Sequence, residues 1–201
     1  MGRDPLKSKS PIPARRKGIY IFPNLLTTGS LFAGFFAIIA AMHNQFENAA
    51  IAIFIAMILD GLDGRVARLI NAQSAFGAEY DSLSDIVSFG ISPALVAYNW
   101  SLAPLGIYGW GKFGWLSAFM YVACVALRLA RFNSQDDSPA AKRYFYGLPC
   151  PAAAAFLVSM VWVGHLMQVT GPVASIVTVV VTVIISLLQV SNVRYRSFKG
   201  E

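Results

Sequence analysis

Four aspartates between positions 60 and 85 are the residues in this 201-residue chain best placed to do chemistry. Asp60 and Asp63 are three apart and Asp81 and Asp85 four apart, so each pair shares one face if its segment is helical. Gly64 and Ala67 continue the face of the first pair, and Gly77 stands one turn ahead of Asp81. Two neighbouring helices would bring all four carboxylates to one point, where like charges repel unless a cation neutralises them. The cluster is all oxygen, with no His or Cys nearby, which points to a hard cation: Mg2+, Mn2+ or Ca2+. Four carboxylates suffice for two such ions sharing ligands, an arrangement suited to phosphoryl chemistry. Without side chains at Gly64 and Gly77, a bulky ligand can approach the backbone. Solvated charges on a loop would give no reason for helical spacing with glycines on the carboxylate side.

The elements that must position these groups are apolar. Hydrophobic residues make up 56% of the chain and charged residues 13%, against about 25% charged in soluble proteins. The expected fold is an all-α integral membrane protein with six transmembrane helices, near residues 25–42, 49–62, 83–102, 113–131, 148–167 and 173–190, given the ~20 residues needed per crossing. The second helix is expected to continue past the membrane surface through Asp60, Asp63 and Arg68. Gly29 and Ala33, Ser30 and Gly34, and Gly90 and Ala94 are each four apart, a spacing that permits close helix packing. With the N-terminus taken as cytoplasmic, every Lys and Arg except Lys112 falls on one side. The positive-inside rule then places both termini and the Asp60–Asp85 stretch in the cytoplasm, with a polar cavity open to that side.

The remaining composition narrows the class. A net charge of +6 would suggest nucleic acid for a soluble protein, but its one-sided distribution assigns it to the membrane, and no nucleic-acid partner is expected. His43 and His165 sit in short polar breaks far from the aspartates, which argues against histidine-based catalysis. Cys124 and Cys150 fall in apolar runs without a partner pattern and read as packed thiols. Residues 1–19 form a basic tail with no short apolar run before a cleavage site, so no signal peptide is expected. Its Arg15-Arg16-Lys17 run suits an anionic lipid surface or a solvated tail alike. The membrane domain is expected over 20–191, with a second basic tail at 192–201. No internal repeat suggests the inverted halves of a transporter.

The pattern Asp-x2-Asp-Gly-x2-Ala-Arg-x8-Gly-x3-Asp-x3-Asp, from Asp60 to Asp85, resembles the signature of the CDP-alcohol phosphotransferase family at all eight defining positions. The resemblance implies transfer of a phosphatidyl or similar group from a CDP-linked donor to an alcohol, with release of CMP. By matched position, Asp60, Asp63 and Asp81 would bind one metal, Mg2+ or Mn2+, and Asp60, Asp81 and Asp85 a second. Asp85 would also be the general base. Gly64, Ala67, Arg68 and Gly77 would line the CDP pocket, with Ser74 a further phosphate or ribose contact. Arg68 on the Asp60–Asp63 helix can offer bidentate hydrogen bonds to phosphate. Asn24 and Thr27, three apart, resemble the family's additional nucleotide contact; Asn24 could equally cap the first helix.

Residues 81–94, 128–133 and 145–152 resemble the bacterial and archaeal phosphatidylserine synthases within that family, which implies CDP-diacylglycerol as donor and L-serine as acceptor. Arg128 and Arg131, one turn apart, with Asn133 close behind, could clamp the acceptor's carboxylate. Phosphate-bearing acceptors, glycerol 3-phosphate or inositol phosphate, would also suit two arginines, and so would a helix C-terminus at the cytoplasmic face. A cation or proton carrier is the alternative of a different class. Small-residue helix faces and the resemblance together point to a homodimer in the cytoplasmic membrane, its active site facing the cytoplasm.

Overall fold

The computed structural model describes residues 21–70, 74–134, 144–191 and 194–196. The N-terminal tail expected over 1–19, Lys142, Arg143 and most of the tail expected over 192–201 lie outside the described residues. Among the described residues the fold is all-helical apart from one short ladder. Six helices occupy the six expected segments: α1 (Ile21–Met42), α2 (Phe46–Leu69), α3 (Ala75–Gly106), α4 (Gly111–Asn133), α5 (Cys150–Leu166) and α6 (Pro172–Val190). Of these α1, from Phe22, α3, α4 and α6 are long and apolar enough to cross a membrane, and α5 is apolar but shorter. Strands β1 (Tyr144–Tyr146) and β2 (Arg194–Arg196) pair antiparallel, joining the α4–α5 connection to the chain beyond α6.

The α1–α2 hairpin is the frame of the site. Asn44 takes a left-handed conformation (φ 60°), and Gln45 N–H closes on the Ala40 carbonyl at 2.9 Å. Asparagine is among the few side chains that enter this region readily. The tight turn makes α1 and α2 antiparallel neighbours, and alanines fill the contact: Ala33, Ala37, Ala40 and Ala41 from one helix, Ala49, Ala50, Ala52 and Ala56 from the other, all buried. Small side chains let the backbones approach, and the Ser30 hydroxyl donates to the Ala56 carbonyl at 3.1 Å. In such a hairpin, residues about equally far from the turn lie level. Thr27 precedes and Asp63 follows Asn44 by comparable lengths of chain, and the two meet.

A serine ladder fixes α3 against α1. Ser84, Ser88 and Ser92, spaced four apart, donate to the carbonyls of Thr27 (3.2 Å), Ser30 (3.1 Å) and Gly34 (2.8 Å). The approach requires glycine at position 34, where an added Cβ would lie 2.7 Å from the Ser88 Cα.

The helix α3 is longer than the sequence suggests and irregular. It begins at Ala75, capped by Ser74, whose hydroxyl accepts from the Gly77 N–H at 2.9 Å. Immediately after Asp85 it changes to π-helical turns over Ile86–Ile91, where the Ser92 N–H reaches back to the Val87 carbonyl. Pro93 has no N–H to offer the Phe89 carbonyl one turn earlier. The buried Tyr121 hydroxyl of α4 donates to that carbonyl at 3.0 Å instead. Turns of this kind recur at functional sites because they re-aim the side chains beside them.

Candidate active site

Asp60 and Asp63 stand on α2, Asp81 and Asp85 on α3. Carboxylate oxygens of Asp60, Asp63 and Asp81 all lie within 4.8 Å of one another. Asp85, one turn further along α3, is placed against Asp60. The Thr27 hydroxyl donates to Asp63 Oδ2 at 2.7 Å, with the Pro23 carbonyl 3.1 Å away as its alternative acceptor. Asp63 is buried, one residue past the apolar stretch of α2. Burial pushes its carboxyl above the ordinary value, while the Thr27 hydroxyl and the Gly64 N–H pull it back.

These residues fit a divalent cation. Asp81 Oδ1 and Asp85 Oδ1 are buried and accept no hydrogen bond among the described residues. An unpaired buried carboxylate oxygen is costly, and a cation between the helices would satisfy both oxygens. Three converging carboxylates, all oxygen donors, could hold a hard metal ion.

A cavity of about 330 Å³ adjoins the cluster and shares Asp63 and Asp81 as part of its wall. All seven residues expected on the nucleotide side border it: Asn24, Thr27, Gly64, Ala67, Arg68, Ser74 and Gly77. Pro23 and Ala78, which the spacing does not single out, complete it. Asn24 lies inside α1, which is described from Ile21, so it does not cap the helix. At Gly64 an added Cβ would meet nothing, because the position opens onto the cavity. Arg68 donates through Nε to the Gly64 carbonyl at 2.8 Å, which anchors its stem at the cavity edge. The α3 N-terminus behind Ser74 adds a partial positive charge facing the same space.

The three residues expected to clamp an acceptor stand at the end of α4. Arg128 turns inward, its Nη1 3.3 Å from the buried Cys150 thiol. Asn133 donates to the Ser82 hydroxyl at 2.9 Å, on the turn of α3 that carries Asp81. Arg131 is exposed. Their i,i+3 relation puts the two arginines on one side of α4, while Arg128 takes its partner from the start of α5 and Asn133 from α3. Sequence reasoning passed over Gln189 and Tyr121, both buried and polar on this side of Asp85; a glutamine inside the last apolar run was the available signal.

Residues 20–188 match the family described as CDP-alcohol phosphatidyltransferase. The chain belongs to that family. Among curated members of the CDP-alcohol phosphatidyltransferase family, it is 39% identical over 181 residues to the CDP-diacylglycerol–serine O-phosphatidyltransferase of Helicobacter pylori strain 26695, covering 90% of this chain and 74% of the relative. It is 45% identical over 154 residues to the enzyme of the same name from Mycobacterium tuberculosis strain H37Rv, covering 74% and 52%. The Bacillus subtilis strain 168 enzyme of that name is 33% identical over 178 residues, covering 88% and 90%. The match spans α1 to α6, so family membership covers the cluster, the cavity and the helices that hold them.

Proposed function

We propose that the protein transfers a phosphatidyl group from CDP-diacylglycerol to L-serine, giving phosphatidylserine and CMP. The observation that supports this best is the shared wall: Asp63 and Asp81 belong both to the carboxylate cluster and to the cavity bordered by Asn24, Thr27, Gly64, Ala67, Arg68, Ser74 and Gly77. A nucleotide diphosphate in that cavity would bring its phosphates to the carboxylates. The names carried by similar enzymes select serine as the acceptor.

Each residue has a part in that reaction. Arg68 and the N–H groups at the start of α3 hold the donor's phosphates. Gly64 and Gly77 leave room for the diphosphate against the backbone. Asp60, Asp63, Asp81 and Asp85 would hold two divalent ions, Mg2+ or Mn2+, which when bound offset the charge of the diphosphate and of the departing CMP. Asp85 takes the proton from the serine hydroxyl as its oxygen bonds to the lipid-bearing phosphorus. The bond from that phosphorus to the CMP oxygen breaks on the opposite side. The half-buried position of Asp85, beside Asp60 and the π-helical turns, keeps it fixed for this step.

The setting we infer is the cytoplasmic membrane, with six spans, both termini and the cavity on the cytoplasmic side, and two copies of the chain associated as a homodimer. The one-sided Lys and Arg distribution supports the orientation. Labelling of single cysteines at 43–47 should occur from outside only; labelling from the cytosol contradicts the topology. For the activity, purified protein is offered CDP-diacylglycerol, Mg2+ or Mn2+, and in turn serine, glycerol 3-phosphate and inositol phosphate. CMP release that depends on serine supports the proposal. Release only with a phosphate-bearing acceptor reassigns the substrate, and metal flux into liposomes without nucleotide reassigns the class.

A further inference from the structure

Asp85 stands between two groups of side chains. The nucleotide cavity is built from α1, α2 and α3. Towards α4, α5 and α6 lies a second, enclosed polar group: Arg128 and Tyr121 from α4, Cys150 at the start of α5 and Gln189 near the end of α6. The Cys150 thiol, 1% exposed, is within electrostatic range of both Arg128 and Asp85. Tyr121 is within range of Cys150 and beside the Gln189 amide, but it spends its hydroxyl proton on Phe89.

Two members of this group carry buried polar atoms that no hydrogen bond meets among the described residues. Gln189 is 1% exposed, yet neither Oε1 nor Nε2 makes a hydrogen bond among the described residues. Arg128 Nε is buried and likewise unpaired. The Gln189 backbone is pinned from outside the helix: Leu148 N–H donates to the Leu188 carbonyl at 3.1 Å, and Gly147, at φ 77°, packs on the Gln189 carbonyl where no Cβ would fit. The Tyr121 oxygen lies close enough to receive the Gln189 N–H, but nothing among the described residues donates to Gln189 Oε1, and a buried amide oxygen left unsatisfied is unfavourable unless something fills its valence. An acceptor at Gln189 Oε1, a cationic donor at Arg128 and a general base at Asp85 form a set complementary to a small zwitterion bearing a hydroxyl.

We propose that Gln189 and Arg128 are specificity-determining residues for the acceptor, Arg128 taking the carboxylate of a hydroxyl amino acid and the Gln189 carbonyl oxygen taking its ammonium. The assignment rests on the reading of the protein as a phosphatidyl transferase to serine. It also gives a physical reason for rejecting glycerol 3-phosphate, which has no ammonium and would leave the Gln189 oxygen unpaired. The partition is between faces of Asp85: donor on the α1–α2 side, acceptor on the α4–α6 side.

The test uses the full chain in lipid nanodiscs with CDP-diacylglycerol and Mn2+. For Gln189→Met, which keeps the side chain's length and removes its polar atoms, KM for serine should rise ~10–100-fold, the effect of losing a hydrogen bond to a charged group. Turnover at saturation and affinity for CDP-diacylglycerol should stay within about twofold, since the contact holds the acceptor equally in ground and transition states. With 3-hydroxypropionate, which has the carboxylate and hydroxyl but no ammonium, wild type should be at least ~10-fold poorer than with serine, and Gln189→Met should lower it no further. A serine KM within twofold of wild type overturns the assignment. So does an equal loss on both acceptors, which would mark a structural role. If Gln189→Met no longer binds donor, the wild-type comparison decides: 3-hydroxypropionate used as well as serine overturns ammonium recognition. A wild-type protein inactive with serine rejects the functional reading itself and the acceptor assignment with it; wild-type activity with an unaffected variant rejects the assignment alone.

Discussion

Thr27 of α1 donates its hydroxyl proton to Asp63 of α2 at 2.7 Å, so one short bond links the wall of the cavity to the carboxylate cluster. Thr27→Val keeps the shape and removes that donor. Metal-free protein should lose ~1.5–3 kcal/mol of stability, the range for a hydrogen bond to a charged group. Excess Mg2+ should narrow the gap, because a bound cation takes over the charge on Asp63. Thermal unfolding with and without Mg2+ measures both; a gap untouched by metal would place Thr27 outside the metal site.

Asp60 and Asp81 belong to the triad that could hold a metal ion, and in the two-ion proposal each serves both ions. Asp60→Asn or Asp81→Asn should therefore abolish turnover and weaken metal-dependent binding of the CDP donor, since charge is removed from both ion positions at once. Donor affinity measured across a metal titration checks this. Undiminished affinity in Asp60→Asn rules out a shared ligand.

Asp85→Asn should behave differently. Its amide oxygen can still meet a cation but cannot take the serine proton, so donor binding should persist while the rate falls roughly 10²–10⁴-fold, the usual contribution of a positioned base. Single-turnover kinetics separates the two effects. Near-normal turnover removes Asp85 as the base.

Two glycines make a matched contrast. At Gly64 an added side chain meets open cavity, whereas at Gly34 it meets the Ser88 backbone. Gly64→Val should leave the unfolding temperature close to wild type and weaken CDP-diacylglycerol binding by occupying the cavity. Gly34→Val should separate α1 from α3, break the serine ladder and reduce the yield of folded protein. Parallel unfolding and binding measurements on the pair check both; equal loss of stability would contradict the open geometry at Gly64.

The cavity and the carboxylate cluster were legible in the sequence because their residues lie on two helices and one helix start, where spacing alone decides which side chains share a face. Asp60 with Asp63, and Asp81 with Asp85, needed only the helical repeat. The extension of α2 past its apolar stretch could be read for the same reason, because Arg68 follows Asp60 and Asp63 at helical spacing. The start of α3 at Ala75 could not be read from hydropathy, since its first turns are polar and only the Ser74 cap marks them. The side towards α4 and α5 was less visible. Arg128 and Asn133 take partners from other helices, Cys150 and Ser82, and those contacts depend on how α4 meets α3 and α5. Ser84, Ser88 and Ser92 read as ordinary small residues until α1 supplies their acceptors, and Gln189 gains meaning only from burial beside Tyr121.

The most direct test of the central claim is the stoichiometry of one reaction. Full-length protein in nanodiscs is given CDP-diacylglycerol, isotopically labelled L-serine and Mg2+ or Mn2+, and CMP and labelled lipid are quantified together. The outcome expected is one phosphatidylserine per CMP, with both lost on chelation of the metal and in Asp60→Asn. CMP released without labelled lipid, or labelled lipid formed equally well by Asp60→Asn, would contradict phosphatidyl transfer by this carboxylate cluster.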